Sequence, residues 1–225
     1  MKRPADSPRS KDPSLDVERE LLASGYAAVI GIDEVGRGAI AGPVAVGAHV
    51  VTTVAGAFPE GLRDSKLLSE KRRELLAPRV AEWGAGAVGF GSAAEIDSKG
   101  IIAMLGAAAR RALLDLHGQG VPVDRAAIIV DGAHDWLSPA LRSPLDVRTR
   151  VGADRDCASV AAASIRAKVA RDAVMREADL AAPGYGWASN KGYGARAHYA
   201  GIAELGVNEL HRSTWIKTPS DKLVG

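Results

Sequence analysis

The sequence predicts an α/β fold, with a central mixed β-sheet flanked by helices and a helical C-terminal portion. Three observations carry this. Compact apolar runs of strand length stand at 27–32, 44–51 and 126–131. Glycine-rich punctuation, Gly36–Arg37–Gly38 and Gly42–Pro43, separates the first two runs. Long helical patterns fill 94–117 and 157–180, the second rich in alanine.

Taken in order, residues 17–24 form a short helix with Leu21 and Leu22 as its apolar residues. Residues 27–32 are a buried strand and 44–51 a second. Ser69 caps a helix running through Val80, because its hydroxyl can accept from a free amide of the first turn. Residues 86–92 are a third strand, weakened by glycines. One long helix follows over 94–117, despite Gly100 and Gly106. The run 126–131 is a buried strand ending in an acid, and 147–151 is a further strand. Residues 157–180 form a helix, and 197–205 a last short one. Residues 1–16 mix proline, serine and both charge signs, and read as a disordered tail. Residues 217–225 are expected to fray.

The chain has 225 residues, enough for one globular domain with a substantial core, assigned to 17–216. Aromatic residues make up only 4%, so the core must rest on Ala, Val, Ile and Leu. A net charge of +2 is too small to argue for nucleic acid by itself. Between Arg142 and Arg176, however, eight Lys or Arg stand against four Asp. A basic stretch beside acidic motifs suits a polyanion held near metal ions. A single cysteine, Cys157, excludes an internal disulfide and is read as a small helix residue. No apolar run has the length of a membrane span, and a cytoplasmic monomer is the expectation.

Acidic residues stand at element boundaries. Asp33–Glu34 follows one apolar run, Asp131 ends another, and Asp154 lies just before the long C-terminal helix. Taken singly, an Asp at a strand end is more often a turn or cap residue. Together, at the ends of strands, such groups can converge on a crevice beside the sheet. Converging carboxylates repel unless cations neutralise them, and hard ions such as Mg²⁺ or Mn²⁺ prefer oxygen ligands. Neighbours on a strand point to opposite faces, so Asp33 and Glu34 share a site only if the chain bends there.

The segment Gly31 to Val44 resembles the first motif of the type 2 ribonuclease H family (bacterial ribonuclease HII). Further segments resemble the family's motifs in order: Asp64–Ser65–Lys66 with Leu68–Ser69, Val130–Asp131–Gly132, and Ala153–Asp154 followed by 161–165 and Ala167–Lys168. The run 190–194 and His211–Arg212 resemble its C-terminal motifs, so the likeness covers about 31–215. It implies a ribonuclease H-like fold and an endonuclease that hydrolyses the RNA strand of RNA–DNA hybrids. It implies metal binding by Asp33, Glu34, Asp131 and Asp154, with two Mg²⁺ or Mn²⁺ ions. Water, rather than a side chain, is then the nucleophile, leaving 3′-hydroxyl and 5′-phosphate ends. Asp156 competes with Asp154 for the fourth position, but Asp154 aligns without a gap.

The resemblance also implies how RNA is told from DNA. Backbone groups of Gly36, Arg37 and Gly38 would bond a ribose 2′-hydroxyl, with glycine allowing close approach. The ring of Tyr193 would pack on the next sugar and favour deoxyribose there. Cleavage 5′ of a single ribonucleotide in duplex DNA follows, and with it the removal of misincorporated ribonucleotides. Lys66 would contact phosphate, and Ser164 and Lys168, four apart on one helix, would face the groove. Lys191, His211 and Arg212 would meet the nucleic-acid backbone. His134 and Asp135 read as loop residues, and His198 as bonding locally. Gly152, Ala195 and Ser213 depart from the family's usual residues, which bears on rate and substrate contact. A hybrid-binding relative without activity and a DNA-specific nuclease or phosphatase are the rivals. Ribonuclease HIII is a third, but it carries an additional N-terminal domain, whereas about thirty residues precede Asp33 here.

Overall fold

A computed structural model describes residues 12–216. The expected tail at 1–11 and fraying end at 217–225 lie outside the described residues. The tail expectation does not extend over its last residues: Ser14 bridges to Cys157, Leu15 is buried, and Asp16 opens a helix. Backbone pairing and burial of Leu15 hold this stretch, where composition alone suggested none.

The elements run α1 (Asp16–Ala23), β1 (Ala28–Val35), β2 (Val44–Val51), α2 (Glu70–Trp83), β3 (Gly86–Gly91), α3 (Ala93–Lys99), α4 (Ile101–Gly118), β4 (Ala126–Asp131), β5 (Asp146–Arg150), α5 (Ala153–Asp156), α6 (Ala158–Ala181), α7 (Trp187–Asn190) and α8 (Arg196–Leu205). The sheet has five strands in the order β3-β2-β1-β4-β5. β2 is antiparallel to β1 and β3, whereas β4 is parallel to both β1 and β5. The mixed sheet expected from the apolar runs is therefore present.

Helices cover both faces. Ile30, Ile32, Val46, Ile128 and Val130 pack with Met104, Leu105, Ala108 and Leu116 of α4. On the other face Val29, Ala127 and Ile129 meet Val160 of α6 and Leu21 of α1. β1 and β2 are buried on both faces, which explains why they read as continuous apolar runs rather than alternating ones. The edge strand β5 carries Asp146, Arg148 and Arg150, charges that oppose pairing with another chain.

The alanine content of α6 has a geometric reason. A Cβ at Gly31 would run into the backbone of Ser159 and Val160, and one at Gly47 into the carbonyl of Ala163. Helix backbone therefore lies directly on strand backbone, which only small residues permit.

Two boundaries differ from expectation. The helix expected over 94–117 is broken at Gly100, whose φ of 82° is left-handed. Ser92 and Glu95 form a capping box that starts α3, and α4 begins afresh at Ile101. The first strand extends three residues past Ile32, because Asp33, Glu34 and Val35 continue the ladder with Gly47, Val46 and Ala45. The bend comes at Gly36 (φ 82°), beyond both acids rather than between them. Ser69 caps α2 as expected, accepting from the Arg72 amide at 3.3 Å.

Replacing Gly31 by Ala should force α6 off the sheet and cost at least ~2 kcal/mol. Urea unfolding monitored by circular dichroism measures this, and a midpoint equal to wild type would contradict the packing described.

Candidate active site

Asp33 and Asp131 are brought together by the parallel register of β1 and β4. Gly31 pairs with Ile129 and Ile32 with Val130, so the next residue on each strand is an aspartate. Asp131 then recruits Asp154. Its Oδ1 accepts from the amide of Ala153 at 2.8 Å, at the start of α5, the short helix that carries Asp154. Asp33 is 3% exposed and Asp154 5% exposed, while Glu34 and Asp131 are half-buried. Asp156, the rival for the fourth position, turns away and pairs with Arg150 at 2.9 Å.

The cluster carries a strong electrostatic signature. Burial holds the Asp33 carboxyl well above the usual range; Lys66 opposes this, and Glu34, Asp131 and Asp154 add to it. Burial also raises Asp131, with Asp154 adding to the shift, and it raises Glu34, where Arg37 opposes and Asp131 adds. Asp33 therefore feels the charges of the other three acids, Glu34 that of Asp131, and Asp131 that of Asp154.

A fifth acid, Asp64, had no role in the sequence reading although its motif was noted. It is 6% exposed, and its carboxyl is raised by burial and by Asp154. Asp64 Oδ1 accepts from the Lys66 amide at 2.9 Å and so shapes the turn that presents Lys66. The signal available in the sequence was an acid two residues before a lysine already judged functional. Lys66 Nζ lies 3.2 Å from Asp154 Oδ2. Burial opposes its charge, but Asp33, Asp64 and Asp154 outweigh this and raise its pKa.

Among the described residues, no three His, Cys, Asp or Glu side chains are gathered tightly enough to hold a metal ion as they stand. The donor set nevertheless fits a hard divalent cation: all its ligand atoms are carboxylate oxygens, and their mutual repulsion is what such an ion relieves. Lys66 supplies a positive charge to the cluster in this arrangement.

The expected substrate contacts divide. Arg37 and Gly38 are exposed, and Tyr193 is 40% exposed. Arg37 reaches Glu34 at 3.5 Å. The carbonyls of Gly36 and Arg37, expected to meet a ribose, are instead taken by Arg212 at 2.7 and 2.9 Å. Gly36 is buried, and a Cβ there would strike the Arg171 guanidinium, so its glycine admits an internal arginine rather than a ligand. Among the described residues, the amides of Arg37 and Gly38 have no protein acceptor.

Five other residues lie inward. Ser164 is 1% exposed and bonds Ser65, donating to its Oγ at 2.6 Å and accepting from its amide at 3.2 Å. Its face of α6 anchors the Lys66 turn instead of lining a groove. Lys168 is tied to Asp172 at 2.7 Å, and Lys191 to Glu70 at 2.9 Å and the Ala188 carbonyl at 2.6 Å. His211 and Arg212 are buried, which removes them from direct contact with a nucleic-acid backbone.

His198 and His211 form an interior pair. The Trp187 indole donates to His198 Nε2 at 2.9 Å, so the proton of His198 sits on Nδ1 and is donated to the Tyr193 carbonyl at 2.9 Å. The Asn208 amide donates to His211 Nδ1 at 2.8 Å, and His211 Nε2 lies 3.1 Å from His198 Nε2. Burial lowers the pKa of both rings and keeps them neutral. Asp135 serves its own loop, accepting from the amides of Leu137 and Ser138.

A mixed five-stranded sheet with buried acids gathered at one end, on strands and on the helix that follows, defines a nuclease of the ribonuclease H class. Comparison with known proteins makes this particular. Residues 30–218 match the family described as ribonuclease HII. Ribonuclease HII of Streptomyces avermitilis is 46% identical over 205 residues, covering 90% of this chain and 83% of that one. Ribonuclease HII of Thermus thermophilus is 45% identical over 185 residues, covering 82% and 84%. Among solved structures, Bst-RNase HIII in complex with Mn²⁺ superposes with a TM-score of 0.69 at 25% identity, covering 94% of this chain and 73% of that one. RNase HII from Archaeoglobus fulgidus, in its complex with PCNA, gives 0.64 at 25% identity, covering 85% and 98%. The chain belongs to the ribonuclease HII family, and its activity is that of a ribonuclease H acting on the RNA of RNA–DNA hybrids. Among the described residues, no helix is long and apolar enough to cross a membrane.

Because burial and neighbouring acids raise the Asp33 pKa, its charge strains the metal-free fold. The strain is absent below the ordinary Asp pKa of ~4 and grows as pH rises through the elevated folded value. Asp33→Asn, measured without divalent ions, should therefore melt above wild type at neutral pH. The gap should close toward pH ~4, and calorimetry across that range checks both.

Proposed function

We propose that this enzyme cuts on the 5′ side of single ribonucleotides embedded in duplex DNA, as well as within longer hybrids. Asp33, Glu34, Asp131 and Asp154 would hold two Mg²⁺ or Mn²⁺ ions, and the products would carry 3′-hydroxyl and 5′-phosphate ends. The reading rests on one observation: the β1–β4 register and the Ala153–Asp131 bond bring Asp33, Asp131 and Asp154 to one end of the sheet, where Glu34 adjoins Asp33. The bound ions would supply activation of water and stabilisation of charge on the scissile phosphate.

The chain's own residues have separate tasks. The buried carboxylates of Asp33 and Asp154 and the half-buried Glu34 and Asp131 would bind the ions. The Ala153 amide orients Asp131, and Asp64 shapes the Lys66 turn. Lys66, tethered to Asp154 here, is on a flexible stem and can turn its charge to a phosphate once ions neutralise the acids. The exposed Arg37 can meet backbone phosphate, and the free amides of Arg37 and Gly38 can donate to a 2′-hydroxyl. Tyr193 is exposed enough to pack on the deoxyribose that follows. Ser164, Lys168 and Lys191 support the groove from inside. The catalytic domain would span 14–216 and act as a cytoplasmic monomer that removes misincorporated ribonucleotides.

The test is cleavage of a duplex with one ribonucleotide, an all-DNA duplex and a long hybrid, with and without Mg²⁺ or Mn²⁺ and with product ends mapped. Metal-dependent cutting of the first and third alone is expected; cutting of the all-DNA duplex would favour a DNA nuclease. Asp33→Asn should lower cleavage by more than about a hundredfold, since even outer-sphere changes cost 10–100-fold, while hybrid binding by gel shift persists. Tyr193→Ala should weaken single-ribonucleotide cleavage more than cleavage of a long hybrid. Equal losses would contradict the stacking role.

A further inference from the structure

Two arginines are wholly enclosed behind the exposed face that carries Arg37, Gly38 and Tyr193. Arg171 and Arg212 are both 0% exposed, and among the described residues neither is in salt-bridge contact with a carboxylate. A buried charge is tolerated only when its hydrogen bonds are satisfied. Here backbone carbonyls satisfy them. Arg171 donates to the carbonyls of Pro43 at 2.7 Å, Lys191 at 2.8 Å and Ala41 at 3.2 Å. Arg212 donates to Gly36 at 2.7 Å, Arg37 at 2.9 Å and Gly42 at 3.1 Å.

These carbonyls belong to two separate segments. The loop 36–43 follows β1, and Lys191 lies in the turn before Tyr193. Backbone bonds stitch the same segments: the amides of Ile40 and Ala41 donate to the Gly192 carbonyl, and the Arg212 amide donates to Ile40. Packing leaves no room for slack. A Cβ at Gly36 would strike the Arg171 guanidinium, and one at Gly192 would strike the Ala41 carbonyl. The guanidinium carbon of Arg171 also lies over the Tyr193 ring, 5.7 Å from its centroid.

We propose that Arg171 and Arg212 are positioning residues for selectivity. They lock the Arg37–Gly38 turn and Tyr193 into one rigid surface, so that the group meeting a 2′-hydroxyl and the ring meeting the next sugar keep a fixed separation. This rests on the reading that these residues examine a ribonucleotide–DNA junction. The physical reason is that two adjacent sugars can be told apart only by a surface that cannot rearrange to accept the wrong one. A lysine in place of either arginine keeps the charge but loses the planar fork that bridges several carbonyls.

The experiment compares Arg212→Lys with wild type. It reads kcat/KM on a single-ribonucleotide duplex and on a long hybrid, with thermal melting alongside. The expected result is a folded protein whose ratio of single-ribonucleotide to hybrid kcat/KM falls at least about tenfold, since small displacements of positioning groups cost that much or more. Amide hydrogen exchange should rise at 191–193, a segment the Arg212 side chain does not bond. Arg171→Lys should lower the same ratio. Parallel losses on both substrates, an unchanged ratio, or an Arg212→Lys protein too unstable to assay would each overturn the proposal. A wild-type enzyme that ignores single ribonucleotides would instead remove the junction reading. The exchange at 191–193 would then decide alone whether the two segments are coupled, and unchanged exchange would overturn the clamp.

Discussion

A buried carboxylate among like charges is the constraint on which the rest of this structure depends. Asp33 sits near the centre of the sheet, at the end of a strand covered on both faces, where water cannot solvate its charge. Three neighbouring acids worsen its position. Nothing about folding favours this arrangement; it is stored electrostatic strain that a divalent cation relieves. The surrounding architecture holds the acids in place against that repulsion: the β1–β4 register, the Asp131 cap on α5, and the Lys66 turn pinned by Asp64 and Ser164.

The rigidity of the scaffold comes from close backbone packing rather than from bulk. α6 rests against β1 and β2 where Gly31 and Gly47 present no side chain. The first turns of α6 follow directly from α5, so the seating of the helix also sets the position of Asp154. The same helix carries Ser164, which anchors the Lys66 turn, and Arg171, which gathers carbonyls from two loops. One alanine-rich helix thus connects the acidic cluster to the exposed face beside it.

The polar interior of the C-terminal part is built differently. Two guanidiniums and two neutral imidazoles are buried there beside Met175, Tyr185 and Trp187. Trp187 sets the tautomer of His198, and the guanidiniums donate to backbone carbonyls. Such a network specifies a single arrangement of the loops above it, because any alternative leaves a buried polar group unpaired.

Much of this was legible in the sequence. Apolar runs of strand length and alanine-rich helical stretches identify the elements, because periodicity and propensity are local properties. The acids at Asp33, Glu34, Asp131 and Asp154 stand out because each adjoins such a run. Gly100 as a helix break and the extension of β1 to Val35 were not legible, since a capping box and a cross-strand ladder decided them. Side-chain direction was the larger gap. Ser164, Lys168, Lys191, His211 and Arg212 all look like polar surface residues in one dimension, and all turn inward. Gly36 looks like room for a ligand and is room for Arg171. By itself, then, the sequence determined which chemistry is present and which elements carry it. Only the tertiary structure decided which polar groups face solvent, because that depends on partners distant along the chain.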